Sequence, residues 1–104
     1  MEFQVMVDKA LAVRELYAEF EQRMYGKPWN NEEIMLGFVG DVGDLAKLIM
    51  AQNGRRDIPD SKRKLEHELA DCLWSILVLA NLHGVDLEKS FIEAMDNLER
   101  YLSE

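Results

Sequence analysis

Apolar residues along this chain recur every three or four positions, and three short stretches interrupt them: GKPWNN at 26–31, NGRRDIPDS at 53–61 and HGVD at 83–86. Such spacing places apolar side chains on one side of a helix. The interruptions hold residues that end or start helices, so the pattern predicts four amphipathic helices. The first runs from about Phe3 to Tyr25, with Val7, Leu11, Leu16 and Phe20 in its apolar stripe. Gly26 and Pro28 end it, and Asn31 is placed to cap a second helix from about Glu32 to Gln52. Pro59 breaks the polar loop after Asn53 and Gly54, Asp60 or Ser61 caps a third helix reaching Leu82, and Asp86 caps a fourth from Leu87 to about Leu102. No strand pattern, internal repeat or low-complexity segment competes with this reading. The third helix is apolar nearly all round from Leu73 to Leu82, which suits a central helix or one covered by another subunit. The expected architecture is all-α: one bundle-like, four-helix domain over residues 1–104.

Composition narrows the function classes. A chain of 104 residues with 48% hydrophobic content fits one domain with one core, yet buries a modest share of its surface, so a second copy is an expected partner. The net charge is −8 and no basic stripe dominates, which argues against nucleic acid, since neutralising phosphates needs clustered Lys and Arg. A polyanion can still bind where metal ions stand between it and the protein. Cys72 is the sole cysteine, which excludes an intrachain disulfide and fits a reducing cytoplasm. Its neighbours Leu69, Leu73 and Ile76 predict a buried, unreactive thiol. The opening MEFQVMVDKALAVREL lacks the features of a secretion signal, and LWSILVLANL is too short to span a bilayer. A cytoplasmic protein with no membrane partner is expected.

The second helix contains an anomaly, GFVGDVGDLAK at 37–47. Each interior glycine costs about 1 kcal/mol relative to alanine, so Gly37, Gly40 and Gly43 together cost about 3 kcal/mol. They share a ridge where a missing side chain lets another backbone or a ligand come close. Asp41 and Asp44 lie three apart, hence on one face, among Phe38, Val39, Val42 and Leu45. The third helix repeats the device with Glu68 and Asp71, followed by CLWSILVLA. Two carboxylate pairs bordering the most apolar stretches are expensive to bury unpaired. Either each faces solvent or meets a lysine, with Lys47 three beyond Asp44 and Lys64 four before Glu68, or a divalent cation lies between them. Oxygen donors from two facing helices suit Mg²⁺ or Mn²⁺, with water and phosphate oxygens completing the shell.

VGDVGDLAKL resembles the VGEVGELAEL segment of the MazG-like all-α nucleoside triphosphate pyrophosphohydrolases, and ELADCLWSILVLANLHGVDL resembles that superfamily's second motif and its continuation. The similarity covers about residues 30 to 101 and is nearest to the small dCTP-pyrophosphatase-like members. It implies a MazG-type fold assembled as a homodimer or homotetramer, and Mg²⁺-dependent cleavage between the α and β phosphates to a nucleoside monophosphate and pyrophosphate. By the same resemblance Asp41, Asp44, Glu68 and Asp71 hold the metal, and Asp44 or Glu68 orients or deprotonates the attacking water. Nucleotide-pool cleaning is the role implied.

This chain departs from the family pattern in several places. Both acidic positions of the first motif are Asp where the family has Glu. Aromatic residues that relatives place near Ala51 and Ser75 are missing. The last helix matches the family's closing residues at Asn97, Arg100 and Tyr101, while the expected lysine falls at Glu93 or Ala94. Tyr25 and Trp29 are candidates for the wall that stacks on the base, although a packing role suits them as well. Lys64, Asn97 and Arg100 are candidates to contact the substrate. Arg55, Arg56, Lys62 and Arg63 form the most basic stretch and could guide an anion in. Trp74 reads as core or subunit interface, His67 as solvent-facing and His83 as a helix-end residue. The competing readings are a phosphoribosyl-ATP pyrophosphohydrolase, an all-α dUTPase, or a catalytically weak helical dimer that binds nucleotide or protein.

Overall fold

The computed structural model describes residues 2–103 and contains four helices: α1 Glu2–Tyr25, α2 Asn31–Gln52, α3 Ser61–Leu82 and α4 Leu87–Leu102. The chain is all-α, as the spacing of its apolar residues requires. The caps differ from expectation at two helix starts. Asn30, one residue earlier than Asn31, caps α2: its side chain accepts the Glu33 N–H at 2.8 Å, and the Glu33 carboxylate accepts the Asn30 N–H at 2.9 Å. This reciprocal pair satisfies two amide groups that the first turn would otherwise leave open. At α3 neither Asp60 nor Ser61 caps by its side chain, because Asp60 takes a left-handed backbone (φ 57°) that turns it away. Ser61 Oγ instead accepts the Gln52 amide at 2.8 Å, tying the end of α2 to the start of α3. Gly26, Gly54 and Gly84 all have positive φ and close α1, α2 and α3, a conformation that costs glycine little.

Helix α3 is central, as its composition predicts. It packs along α2 and against α1, and supplies most of the buried residues, with Val78 fully enclosed. The core joins Ala10 of α1, Ile34 of α2, and Leu77 and Val78 of α3, with Val7 and Trp74 packed around them. The Trp74 indole N–H donates to the Ala10 carbonyl at 3.0 Å, fastening α1 across α3.

Helix α4 is the exception. Its axis bends 107° from that of α3, and none of its residues is buried. Phe91, Ile92, Met95, Leu98 and Leu102 form one apolar stripe, each open to solvent. The whole chain is correspondingly open. Its accessible surface is 7965 Å², against about 6,000 Å² expected for a self-contained monomer of 12.1 kDa. The radius of gyration is 16.6 Å, against about 13 Å for a compact domain of this length. No single helix among the described residues is long and apolar enough to cross a membrane.

Candidate metal centre and the cavities beside it

Where α2 runs beside α3, carboxylate oxygens of Asp41, Asp44 and Glu68 all lie within 4.8 Å of one another. The i, i+3 spacing puts the two aspartates on the face of α2 that meets α3, and Glu68 answers from the facing turn. Glu68 Oε1 is buried without a hydrogen-bond partner, alone in this among the described side chains. Burial pushes the Glu68 carboxyl above its ordinary range, and the nearby Asp41, Asp71 and Asp44 push it further. With every carboxylate ionised, none has a hydrogen to offer another; a hydrogen bond between Glu68 and Asp41 needs a proton held between them. The site therefore wants positive charge, as a proton or a cation.

Lysine does not supply it. The close contacts between basic and acidic side chains among the described residues are Arg14–Glu21 and His67–Asp71, so neither Lys47 with Asp44 nor Lys64 with Glu68 forms the intrahelical pair that spacing allows. An all-oxygen donor set, one oxygen of it buried and orphaned, fits a hard divalent cation. Asp71 stands slightly apart. It lies outside the cluster of three, pairs with His67 Nε2 at 3.4 Å, and lines a cavity with Asp41.

That cavity, about 360 Å³, lies where α1, α2 and α3 meet and is largely aromatic, with Tyr17, Phe20, Tyr25, Trp29 and Trp74 in its lining. Tyr17 meets Trp74 edge-on at 5.5 Å, and Phe20 meets Tyr25 edge-on at 6.5 Å. Trp29 is fixed by its backbone as well as its ring. Glu21 Oε1 accepts the Trp29 N–H at 2.7 Å, and the Arg14 guanidinium donates to the Trp29 carbonyl and, at 3.3 Å, to the same Glu21 oxygen. The Trp29 ring lies over Gly37, where a Cβ would come within 3.0 Å of it. The glycine ridge thus has one close approach. At Gly40 and Gly43 a Cβ would meet nothing within 4 Å, so within this chain they are not a helix-crossing device.

A second cavity, about 460 Å³, opens on the other flank of the acidic cluster, lined by Asp44 and Glu68 together with Lys47, Arg63, Lys64 and His67. The four acidic positions therefore divide: Asp41 and Asp71 face an aromatic space, Asp44 and Glu68 a basic one. Of the other candidates, Tyr25 and Trp29 belong to the first cavity and Lys64 to the second. Asn97 and Arg100 hydrogen-bond each other on α4 and line neither. His83 holds the α3 end as expected, its ring bonding the Leu79 carbonyl at 2.8 Å.

Sequence reasoning missed Arg14, Tyr17 and Glu21. Their intervals of three and four mark one face of α1, but the apolar stripe of Val7, Leu11, Leu16 and Phe20 is the stronger signal there. Trp74, read as core or interface, does both core and cavity work. Cys72 is buried, and burial with the adjacent Asp41, Glu68 and Asp71 pushes its thiol upward, so it stays protonated as expected.

No curated protein and no solved structure matches the chain. Members of the MazG family use divalent metals, in keeping with the acidic cluster. Over residues 30–101, most of its length and all of α2, α3 and the acidic cluster, the sequence matches the MazG nucleotide pyrophosphohydrolase domain, and the chain belongs to that family.

Proposed function

We propose that the chain hydrolyses nucleoside triphosphates at the α–β phosphoanhydride, releasing a nucleoside monophosphate and pyrophosphate with Mg²⁺ or Mn²⁺. One observation carries this reading: an acidic cluster with an orphaned buried oxygen stands between an aromatic cavity and a basic one. A nucleotide has the matching polarity, a flat apolar base at one end and a polyanion at the other.

Asp41, Asp44 and Glu68 would hold the cation, with Asp71 supporting from the next turn. A divalent ion bound there supplies neutralisation of phosphate charge and polarisation of the attacked phosphorus. The residues of the chain do the rest. Trp29 and Tyr25 wall the base. Lys64, with Lys47 and Arg63 beside it, draws the outer phosphates into the second cavity and balances the charge on departing pyrophosphate. Asp44 or Glu68, both lining that cavity, orients the attacking water and takes its proton. Water adds to the α phosphorus, the bridging oxygen leaves with pyrophosphate, and the charge summed over the products is accommodated by the lysines. An excess or noncanonical nucleotide is the substrate class, and removal from the pool the role.

The active form is a homo-oligomer. The chain exposes about 2,000 Å² beyond what a self-contained monomer of its mass would. That excess is of the size each subunit buries in an obligate homodimer. The apolar stripe of α4 is its most continuous part. A partner seated there would bring a second α4, and with it Asn97 and Arg100, which line neither cavity of their own chain.

The test is a panel of triphosphates with Mg²⁺ or Mn²⁺, pyrophosphate and orthophosphate being measured separately. Pyrophosphate release that disappears in Asp44→Asn and Glu68→Gln is expected. Orthophosphate alone would refute the bond assignment, and no turnover at high enzyme concentration would refute the activity.

A further inference from the structure

One segment of this acidic molecule has the opposite sign. Residues 47–64 hold Lys47, Arg55, Arg56, Lys62, Arg63 and Lys64 against Asp57 and Asp60, a net of +4, which leaves −12 for the rest of the chain. All six cations are exposed, and among the described residues none lies within ion-pairing distance of a carboxylate. Surface pairing therefore does not account for them, and an unpaired positive pole on a protein of net charge −8 attracts anions. The pole also has a direction, from the acidic cluster toward the α2–α3 loop. Lys47 follows Asp44 by about one turn of α2, and Lys64 precedes Glu68 by about one turn of α3. Two P–O–P links also span about one helical turn, roughly 5.4 Å. A triphosphate with its α phosphorus at the cluster thus ends beside Lys47 and Lys64. The positive charge does not end there. Arg63 and Lys62 lie about 7.5 and 9 Å from Glu68 along the α3 axis, and Arg55 and Arg56 follow in the loop. That loop is tied down: the Gln52 amide donates to Ser61 Oγ at 2.8 Å, and the Arg55 N–H donates to the Met50 carbonyl at 2.8 Å. The cavity of about 460 Å³ takes in Arg63 and reaches Ile58 and Asp60 of the loop, so space continues past the γ position together with charge. Asp60 is the one carboxylate at that outer end of the lining.

We propose that this cavity accepts leaving groups longer than pyrophosphate, so that the chain also hydrolyses nucleoside tetraphosphates at the α–β anhydride, releasing a nucleoside monophosphate and tripolyphosphate. The water oxygen bonds to the α phosphorus, and the bond from that phosphorus to the bridging oxygen breaks. Tripolyphosphate leaves with the electron pair of that bond, and the proton of the water passes to Asp44 or Glu68. Arg55, Arg56 and Lys62 balance the charge of the added phosphate, which a triphosphate does not bring to them. The inference rests on the hydrolase reading given above.

The test compares nucleoside tetraphosphate with triphosphate of the same base, at low ionic strength and with Mg²⁺ in excess of nucleotide, the products being separated by anion-exchange chromatography. The kcat/KM ratio of tetraphosphate to triphosphate is expected to reach or exceed unity in the unaltered protein, with tripolyphosphate as the second product. A ratio below unity overturns the inference, as does release of orthophosphate with a nucleoside triphosphate, which would mean cleavage at the far end of the chain. In the double variant Arg56→Glu, Lys62→Glu the ratio is expected to fall by about tenfold, and added salt should shrink that fall. A fall smaller than about threefold at low ionic strength overturns the role given to the pole. Both positions are exposed, and circular dichroism and melting check that the fold is kept; should it not be, the ratio in the unaltered protein decides. If no nucleotide is hydrolysed, the hydrolase reading fails separately, and titration calorimetry of tripolyphosphate against pyrophosphate in excess Mg²⁺ still judges the cavity. Tighter binding of tripolyphosphate that is lost in the double variant upholds a site for the longer chain. Equal binding, no binding, or an advantage kept by the variant overturns it.

Discussion

Replacing Glu68 by Gln should make the metal-free protein more stable and the metal-loaded protein less able to gain. Carboxylate oxygens no more than 4.8 Å apart repel by about 1 kcal/mol in bulk water and about 3.5 kcal/mol at an effective dielectric of 20. Glu68 has two such neighbours, Asp41 and Asp44, so the gross repulsion is about 2 to 7 kcal/mol. Protonation caps what the fold must bear. Charging Glu68 at pH 7 cannot cost more than neutralising it, about 3.4 kcal/mol from an ordinary value of 4.5. A gain of about 1 to 3 kcal/mol is therefore expected at pH 7, equivalent to roughly 5 °C or more in Tm. The amide also gives Asp41 a donor, which Glu68 lacks when ionised.

The pH dependence has a definite sign. A carboxyl raised in the folded state binds its proton more tightly there than in the unfolded chain, so folded stability is lost as pH climbs from about 4.5 through the raised value. The advantage of Glu68→Gln should vanish near pH 4.5 and grow toward neutrality. A divalent cation competes with that proton, so its apparent affinity should rise over the same interval. At about one hundred times its Kd the cation stabilises the unaltered protein by about 2.7 kcal/mol, and the variant by less. Urea or thermal unfolding in EDTA and in Mn²⁺, at fixed protein concentration, measures all of this. A variant less stable than the parent in EDTA at pH 7, or one stabilised equally by the cation, would refute the argument.

Gly40→Ala and Gly43→Ala should each stabilise the fold, by up to about 1 kcal/mol, since a Cβ meets open space in a helix, as denaturant unfolding would register. Gly37→Ala should fall well short of that gain and shift the tryptophan emission, because its Cβ comes 3.0 Å from the Trp29 ring. Phe91→Glu on α4 should reduce the sedimenting mass and, with it, specific activity; an unchanged oligomer would locate the interface elsewhere. Cys72 should resist alkylation at pH 8 in the native state and react fully in urea, and rapid native labelling would show the thiol to be exposed.

The helices and the paired carboxylates were readable because both depend on short-range spacing. Asp41 with Asp44, and Glu68 with Asp71, announce a shared face by a gap of three, and their apolar surroundings announce the cost of that face. The misplaced caps have local causes: two asparagines compete at 30 and 31, and Glu33 favours the first by answering it. The left-handed Asp60 follows from the loop geometry, which no single side chain reports. Arg14 and Glu21, seven apart on a charged helix, look like any solvated pair until the 26–30 turn brings the Trp29 backbone onto both. The open space at Gly40 and Gly43 was unreadable for a related reason: the residues of a ridge are local, but what faces them is not.

A helix that swings away at Gly84 and keeps its oily side bare leaves each molecule with an unfinished interior. If a second copy completes it, as proposed above, dilution would act here as heat or urea does. Folding would then be a collective event whose midpoint moves with how many copies are present.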